Sequence, residues 1–271
     1  VAYLPVRAVQ AVVSVATVVI LVRLMAPSDY GMYVVLLTWS SLLSICFFNW
    51  VTMAAFRFYE EAQSAKNLSG LYRDLAWAYL LMACVWITVG GAVIGLVAKG
   101  VFEVPVAAVT WLVLLGLLEP IVVMYQNANM AGRHIGNVAA VTLSDSLLRA
   151  VLGVCGALLF EGKVAGVLAG QFVACGLIVS GLSLQVRTWA LREGGHVSRK
   201  RIWAFVSYGY PMAGVTLSAW ALSVSDRLIL SWMLGTSAVG VYSAGYQLGS
   251  NAILFPSSSM MAGAFPVLIR E

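Results

Sequence analysis

The sequence predicts an all-α polytopic membrane protein of about eight transmembrane helices, comprising one six-helix lobe and the start of a second. Three observations carry that prediction. Hydrophobic residues make up 61% of the chain and charged residues only 10%, with a mean hydropathy of +0.92. A soluble domain carries about 25% charged residues, so this chain could not cover itself with polar surface. Apolar runs of about twenty residues recur along its whole length, each enough to cross a bilayer core of about 30 Å. They are continuous rather than alternating and too long for barrel strands, which favours helices that satisfy their own backbone groups. Finally, one short turn occurs twice. Leu24-Met25-Ala26-Pro27-Ser28-Asp29-Tyr30-Gly31-Met32-Tyr33 aligns without a gap on Met233-Leu234-Gly235-Thr236-Ser237-Ala238-Val239-Gly240-Val241-Tyr242, at a constant offset of 209 positions. Each copy ends one apolar run and begins the next through Gly-x-Tyr, the mark of an internal duplication.

In chain order the spans run roughly over 4–25, 31–56, 72–98, 105–130, 138–160, 164–188, 206–234 and 238–262. The connections between them alternate in charge. Those after spans two, four and six, with the end after span eight, hold Arg57, Lys66, Arg73, Arg133, Arg187, Arg192, Arg199, Lys200, Arg201 and Arg270. Those after spans one, three and five hold only Arg23, Lys99 and Lys163. The excess places the first group in the cytoplasm together with the N-terminus. Residues 1–190 then form the six-helix lobe, 191–205 a cytoplasmic linker, and 206–271 the first two helices of the second lobe. Six is an even number of crossings, so both halves share one orientation and form a parallel repeat, with a substrate site expected at their interface near the midplane. On this scheme the second half stops after two of six helices, and the whole protein is expected to have at least twelve.

Charges inside the spans are the candidate functional groups, because each is costly unless it faces a cavity or a partner. In span five, Thr142, Asp145, Arg149, Gly153 and Gly156 draw one helical stripe, polar at one end and small at the other. Arg149 lies near the midplane. It is either a substrate contact or the structural partner of Asp145, one turn away. Glu119 precedes the helix-bending Pro120 in span four at similar depth, as a partner for Arg149 or a site for proton or ion coupling. The repeat offset matches Asp226 and Arg227 to Thr17 and Val18, well inside a span, so both lie about two turns below the outer surface and face different ways. Arg7 and Arg57 are placed to guard the cytoplasmic mouth, or to act as ordinary positive-inside anchors.

Several classes are disfavoured. Cys46, Cys84, Cys155 and Cys175 lie in apolar runs without a C-x-x-C spacing and are expected to be small buried residues, so no metal site is predicted. His134 and His196 have no acid partner at a motif spacing, and no glycine loop with lysine is present to cradle phosphate. Neither an enzymatic centre nor a cofactor is expected. The net charge of +5 is concentrated in loops on one side, which sets topology and gives no reason to expect a nucleic-acid partner.

The motifs resemble those of a known family. Arg23 to Tyr33 resembles the R-L-L-G-P-x-x-Y-G-x-Y turn of Wzx-type polysaccharide flippases, in the multidrug/oligosaccharidyl-lipid/polysaccharide exporter superfamily. Phe56-Arg57-Phe58-Tyr59, Tyr208-Gly209-Tyr210-Pro211, Ser225-Asp226-Arg227-Leu228-Ile229-Leu230, Val239-Gly240-Val241-Tyr242-Ser243-Ala244 and Pro266 are similar to its later motifs. Ala26 stands where that family often has glycine. The resemblance implies a carrier that moves polyprenyl-pyrophosphate-linked oligosaccharide from the cytoplasmic to the outer leaflet by alternating access. Membrane lipid and other polysaccharide-assembly proteins are then candidate partners, and the cell inner (plasma) membrane is the location. On this resemblance Arg149 and Arg227 contact the pyrophosphate, with Arg7 and Arg57 at the mouth, and Glu119, Asp145 and Asp226 serve coupling or charge pairing. The rival expectations are an ion-coupled drug or metabolite antiporter, in which the acids would matter most, and a non-transporting scaffold of an export complex. A membrane glycosyltransferase or polymerase is disfavoured by the short outer loops.

Overall fold

The computed structural model describes residues 3–190 and 197–268, with side chains described over 6–182 and 197–250. Arg192, His196 and Arg270 lie outside the described residues, as do the side chains of Arg187 and Pro266. Every described element is a helix: α1 Tyr3–Leu24, α2 Pro27–Arg57, α3 Tyr59–Ser64, α4 Leu68–Ala98, α5 Val106–Ala131, α6 Ile135–Leu159, α7 Lys163–Ala190 and α8 Arg199–Leu268. Seven of these are long and apolar enough to cross a membrane.

The last of them contains two crossings. Its 70 residues would extend roughly 100 Å as one rod, several times a bilayer core. Gly235 interrupts it with φ 79° and ψ 176°, a conformation that a Cβ would strain. Beyond it the chain doubles back. The Tyr242 hydroxyl donates to the Asp226 carboxylate, and the Arg227 guanidinium lies 5.2 Å above the Tyr246 ring, which pairs the two legs as antiparallel neighbours. The break falls inside the second copy of the repeated turn.

Two boundaries differ from expectation. α3 was not foreseen. It starts as α2 ends, with Glu60 and Glu61 in its first turn complementing the helix dipole and Tyr59 buried beneath it. The linker expected over 191–205 is helical from Arg199 onward, because Asp74 of α4 holds its start. The buried Asp74 carboxylate accepts the Ser198 backbone N–H at 3.2 Å and pairs with Arg201 Nη1 at 3.2 Å. An acid buried on a distant helix thus caps and anchors the first turn of α8.

α2 is the central helix, and the first leg of α8 runs antiparallel along it. Trp50 stacks on Tyr210 at 5.9 Å, Asn49 Nδ2 donates to Thr216 Oγ1 at 3.2 Å, and Trp220 Nε1 donates to Ser41 Oγ at 2.8 Å. At the far end the two repeated turns meet. A Cβ on Gly31 would fall 1.8 Å from the Thr236 carbonyl oxygen, and one on Gly240 would fall 2.1 Å from the Pro27 carbonyl oxygen. Pro27 and Thr236, like Gly31 and Gly240, are mates under the 209 offset. The contact is therefore reciprocal, as a local two-fold axis between the halves requires. α6 and α7 approach as closely through Gly156 and Gly166. Outward, Leu222 and Trp232 are 90% and 88% exposed, surface that suits lipid rather than water.

Gly240→Val should force the paired turns apart. We expect a loss of about 1–3 kcal/mol, read as a lower thermal unfolding midpoint in detergent. Gly245→Val, where an added Cβ meets nothing within 4 Å, should leave the midpoint near wild type.

Candidate functional site: a cavity between the two halves

A cavity of about 470 Å³ lies below the paired turns, between α1, α2, α6 and α7 on one side and both legs of α8 on the other. Its shape follows the repeat. Val18 and Val34 of the first half line it, and so do their mates Arg227 and Ser243; Thr38 lines it, and so does its mate Gln247. The chemistry of the two walls does not follow the repeat.

On the first-half wall the arginine is ion-paired. Arg149 Nε donates to Asp145 Oδ1 at 2.7 Å, Nη1 to Glu119 Oε1 at 3.2 Å, and Nη2 faces the Cys175 sulfur at 3.8 Å. Arg149 lines the cavity, whereas neither carboxylate does. Arg149 is therefore ion-paired, to Glu119 as well as to Asp145, and it also lines the cavity. Two carboxylates against one guanidinium leave one formal negative charge in excess. Gln171 Nε2 donates to the Tyr33 hydroxyl at 2.6 Å, and Gln10 Nε2 donates to Ser146 Oγ at 3.2 Å while the Gln10 Oε1 is buried without a hydrogen-bond partner.

On the second-half wall Gln247 Nε2 donates across the cavity to Ser14 Oγ at 3.5 Å, but the arginine has no carboxylate partner among the described residues. That arginine is Arg227, and its Nε is buried without a hydrogen-bond partner. Its guanidinium is held over Tyr246, and Tyr30 lies within electrostatic reach. Asp226 does not line the cavity; its carboxylate accepts the Tyr242 hydroxyl and the Arg227 backbone N–H. The two neighbours face different ways, as expected for adjacent helical positions. Ser243 is only 3% exposed, and its hydroxyl also lacks a partner.

The structure therefore brings Arg149 and Arg227 to one cavity, with Glu119 and Asp145 behind the first. It does not bring Arg7 or Arg57 there. Both side chains are exposed, and Arg57 lies 5.8 Å from the Phe58 ring at the end of α2. A cation at a helix end can reach polar headgroups and has no need of a cavity. Gln10, Gln171 and Ser243 were missed in the sequence. Amides within apolar runs were a usable signal, and the repeat offset could have placed Ser243 beside Val34.

The family model for polysaccharide biosynthesis proteins matches residues 2–270. The chain belongs to that family. No curated protein and no solved structure matches it. Membership and the apolar helices fit a flippase or transporter role in polysaccharide synthesis, at a membrane and with lipid-linked saccharide.

The ion-pair cluster makes a stability prediction. Arg149→Leu strands two carboxylates and should cost up to about 3 kcal/mol, less than a fully buried pair because Glu119 is partly exposed. Adding Asp145→Leu and Glu119→Gln should restore most of the loss, as measured by thermal unfolding in detergent.

Proposed function

We propose that the protein carries a polyprenyl-pyrophosphate-linked oligosaccharide of the Wzx type from the cytoplasmic to the outer leaflet, and that it is a carrier rather than an enzyme. The observation that bears most weight is the cavity between the halves. It combines arginines with amides and hydroxyls inside a region that should be hydrocarbon on its outside. A saccharide needs neutral donors and acceptors, and a pyrophosphate needs cations held away from bulk water, where charge-assisted hydrogen bonds are strongest. Burying such groups in a span is costly unless a ligand or partner meets them.

Alternating access supplies the motion. With the N-terminus cytoplasmic, the meeting of Gly31 and Gly240 lies at the outer side and seals the cavity there. Separating the two turns, and closing the opposite end, would pass the headgroup across while the lipid tail stays in the bilayer. One observation favours a second reading. The excess negative charge around Arg149 suits an ion-coupled antiporter of the same superfamily, in which Glu119 and Asp145 would bind the driving ion.

Depleting the protein separates the two. Lipid-linked saccharide collecting on the inner leaflet, with surface polysaccharide lost, supports the flippase. Normal lipid-linked pools with altered efflux of drugs or metabolites would sink it in favour of the antiporter. In the depleted cells, Arg227→Gln should reach the membrane at wild-type levels and restore less than about a tenth of the surface polysaccharide.

A further inference from the structure

Among the described residues, one ion pair joins the two halves. Arg149 pairs with Glu119 and Asp145 inside the first half, whereas Asp74 of α4 pairs with Arg201 at the start of α8. The Asp74 side chain is fully buried. Its Oδ2 and the facing Arg201 Nη1 are both buried, and neither makes a hydrogen bond. Were α8 to draw away, that carboxylate would be left in an apolar surrounding with its cation gone. Removing one partner of a buried pair is strongly unfavourable, whatever the intact pair contributes.

Packing at the same place points the same way. Phe205 of α8 is fully buried in a cluster whose other members, among them Trp50, Ala54, Leu71 and Ala128, all come from α2 to α5. The Phe58 ring lies 5.2 Å from the Phe205 ring, and a Cβ on Gly209 would fall 2.6 Å from Trp50 Cα. The first turns of α8 are thus built into the core of the first half. Past Tyr210 the character of the contact changes. There the first leg meets α2 through neutral hydrogen bonds, from Asn49 to Thr216 and from Trp220 to Ser41, which are individually weak. The outer turns meet through the backbone at Gly31 and Gly240, and no hydrogen bond or ion pair among the described residues joins them. Parting them strands no charge.

We propose that residues 199–210 of α8 stay with the first half throughout the transport cycle, and that the halves rock about this cytoplasmic joint while the outer turns part. Asp74 and Arg201 are its positioning residues. Neither lines the cavity between the halves, and both act by fixing where the second half pivots. The mechanical boundary between the halves therefore lies past Tyr210, further along the chain than the linker expected over 191–205. The joint rests on the reading that the halves alternate in access.

Pulsed electron spin resonance on the full-length protein in nanodiscs tests it, with and without a sugar-free polyprenyl pyrophosphate. In a background with Cys46, Cys84, Cys155 and Cys175 changed to alanine, labels at Gln63→Cys and Trp203→Cys report the joint. Labels at Ala26→Cys and Ser237→Cys report the outer turns; all four positions are exposed. The inner pair should keep one narrow distance in both conditions. The outer pair should show a second population longer by about 5 Å or more, the size of a one-turn shift between packed elements. Arg201→Gln, which strands the Asp74 carboxylate, should broaden the inner distance, and Arg201→Lys, which keeps the charge, should leave it narrow. An inner pair that shifts along with the outer one, or that stays narrow in Arg201→Gln, overturns the joint alone. If both pairs stay narrow in both conditions, the halves do not rock, and alternating access falls together with the joint.

Discussion

Because neither Gly31 nor Gly240 carries a side chain, the first turn of α2 and the second leg of α8 can meet with backbone against backbone. The remaining arrangement of the halves depends on that approach. With the turns in contact at one end, α2 and the first leg of α8 stay close enough for Trp50 to stack on Tyr210 and Trp220 to reach Ser41. At the opposite end, Asp74 fixes where α8 begins. The cavity is the space that this closure leaves between α1, α6 and α7 and the two legs of α8. A side chain at either glycine would push on a carbonyl oxygen, and packed backbones give way far less readily than flexible side-chain ends.

Hydrocarbon surroundings account for how the charges are disposed. Each ionisable group within a span must find a partner or a wet cavity. Arg149 has carboxylate partners, Asp226 has a tyrosine hydroxyl and a backbone N–H, and Arg227, among the described residues, has the face of Tyr246 and the cavity. The difference is one of geometry. Asp145 stands one helical turn from Arg149, and Glu119 projects from the neighbouring α5 beside Pro120. Beside Arg227 in sequence stands Asp226, which points elsewhere, and among the described residues the guanidinium has no carboxylate partner.

Much of the architecture was legible in the chain. Length and continuity of the apolar runs located the crossings to within a few residues, because a bilayer sets the length of each helix and hydrocarbon forbids other backbone structure. The less legible parts were those governed by distant contacts. Asn67 lets α4 start at Leu68 by accepting the Gly70 N–H, a cap visible in sequence only once the helix start is suspected. The start of α8 depends on Asp74, which nothing local to Ser198 reveals. For Arg7 and Arg57 the sequence left two readings open, since a basic residue near a helix end suits both a mouth and a membrane anchor.

The sequence by itself determined the fold class, the number and order of crossings, the repeated turn and several of the charges that lie within the spans. Each of these follows from composition, from the period of apolar residues, or from an offset along one chain. Only the tertiary structure decided which charges share a cavity and which neutralise one another. That Arg149 is committed to two acids while Arg227 is committed to none among the described residues depends on α5, α6 and α8 meeting through space. It also showed that the repeat is symmetric in its backbone contacts and asymmetric in its chemistry. Backbone approach is set by glycines that both copies retain, whereas the charge at Arg227 and the hydroxyl at Ser243 belong to one copy and act only where the opposing wall lies.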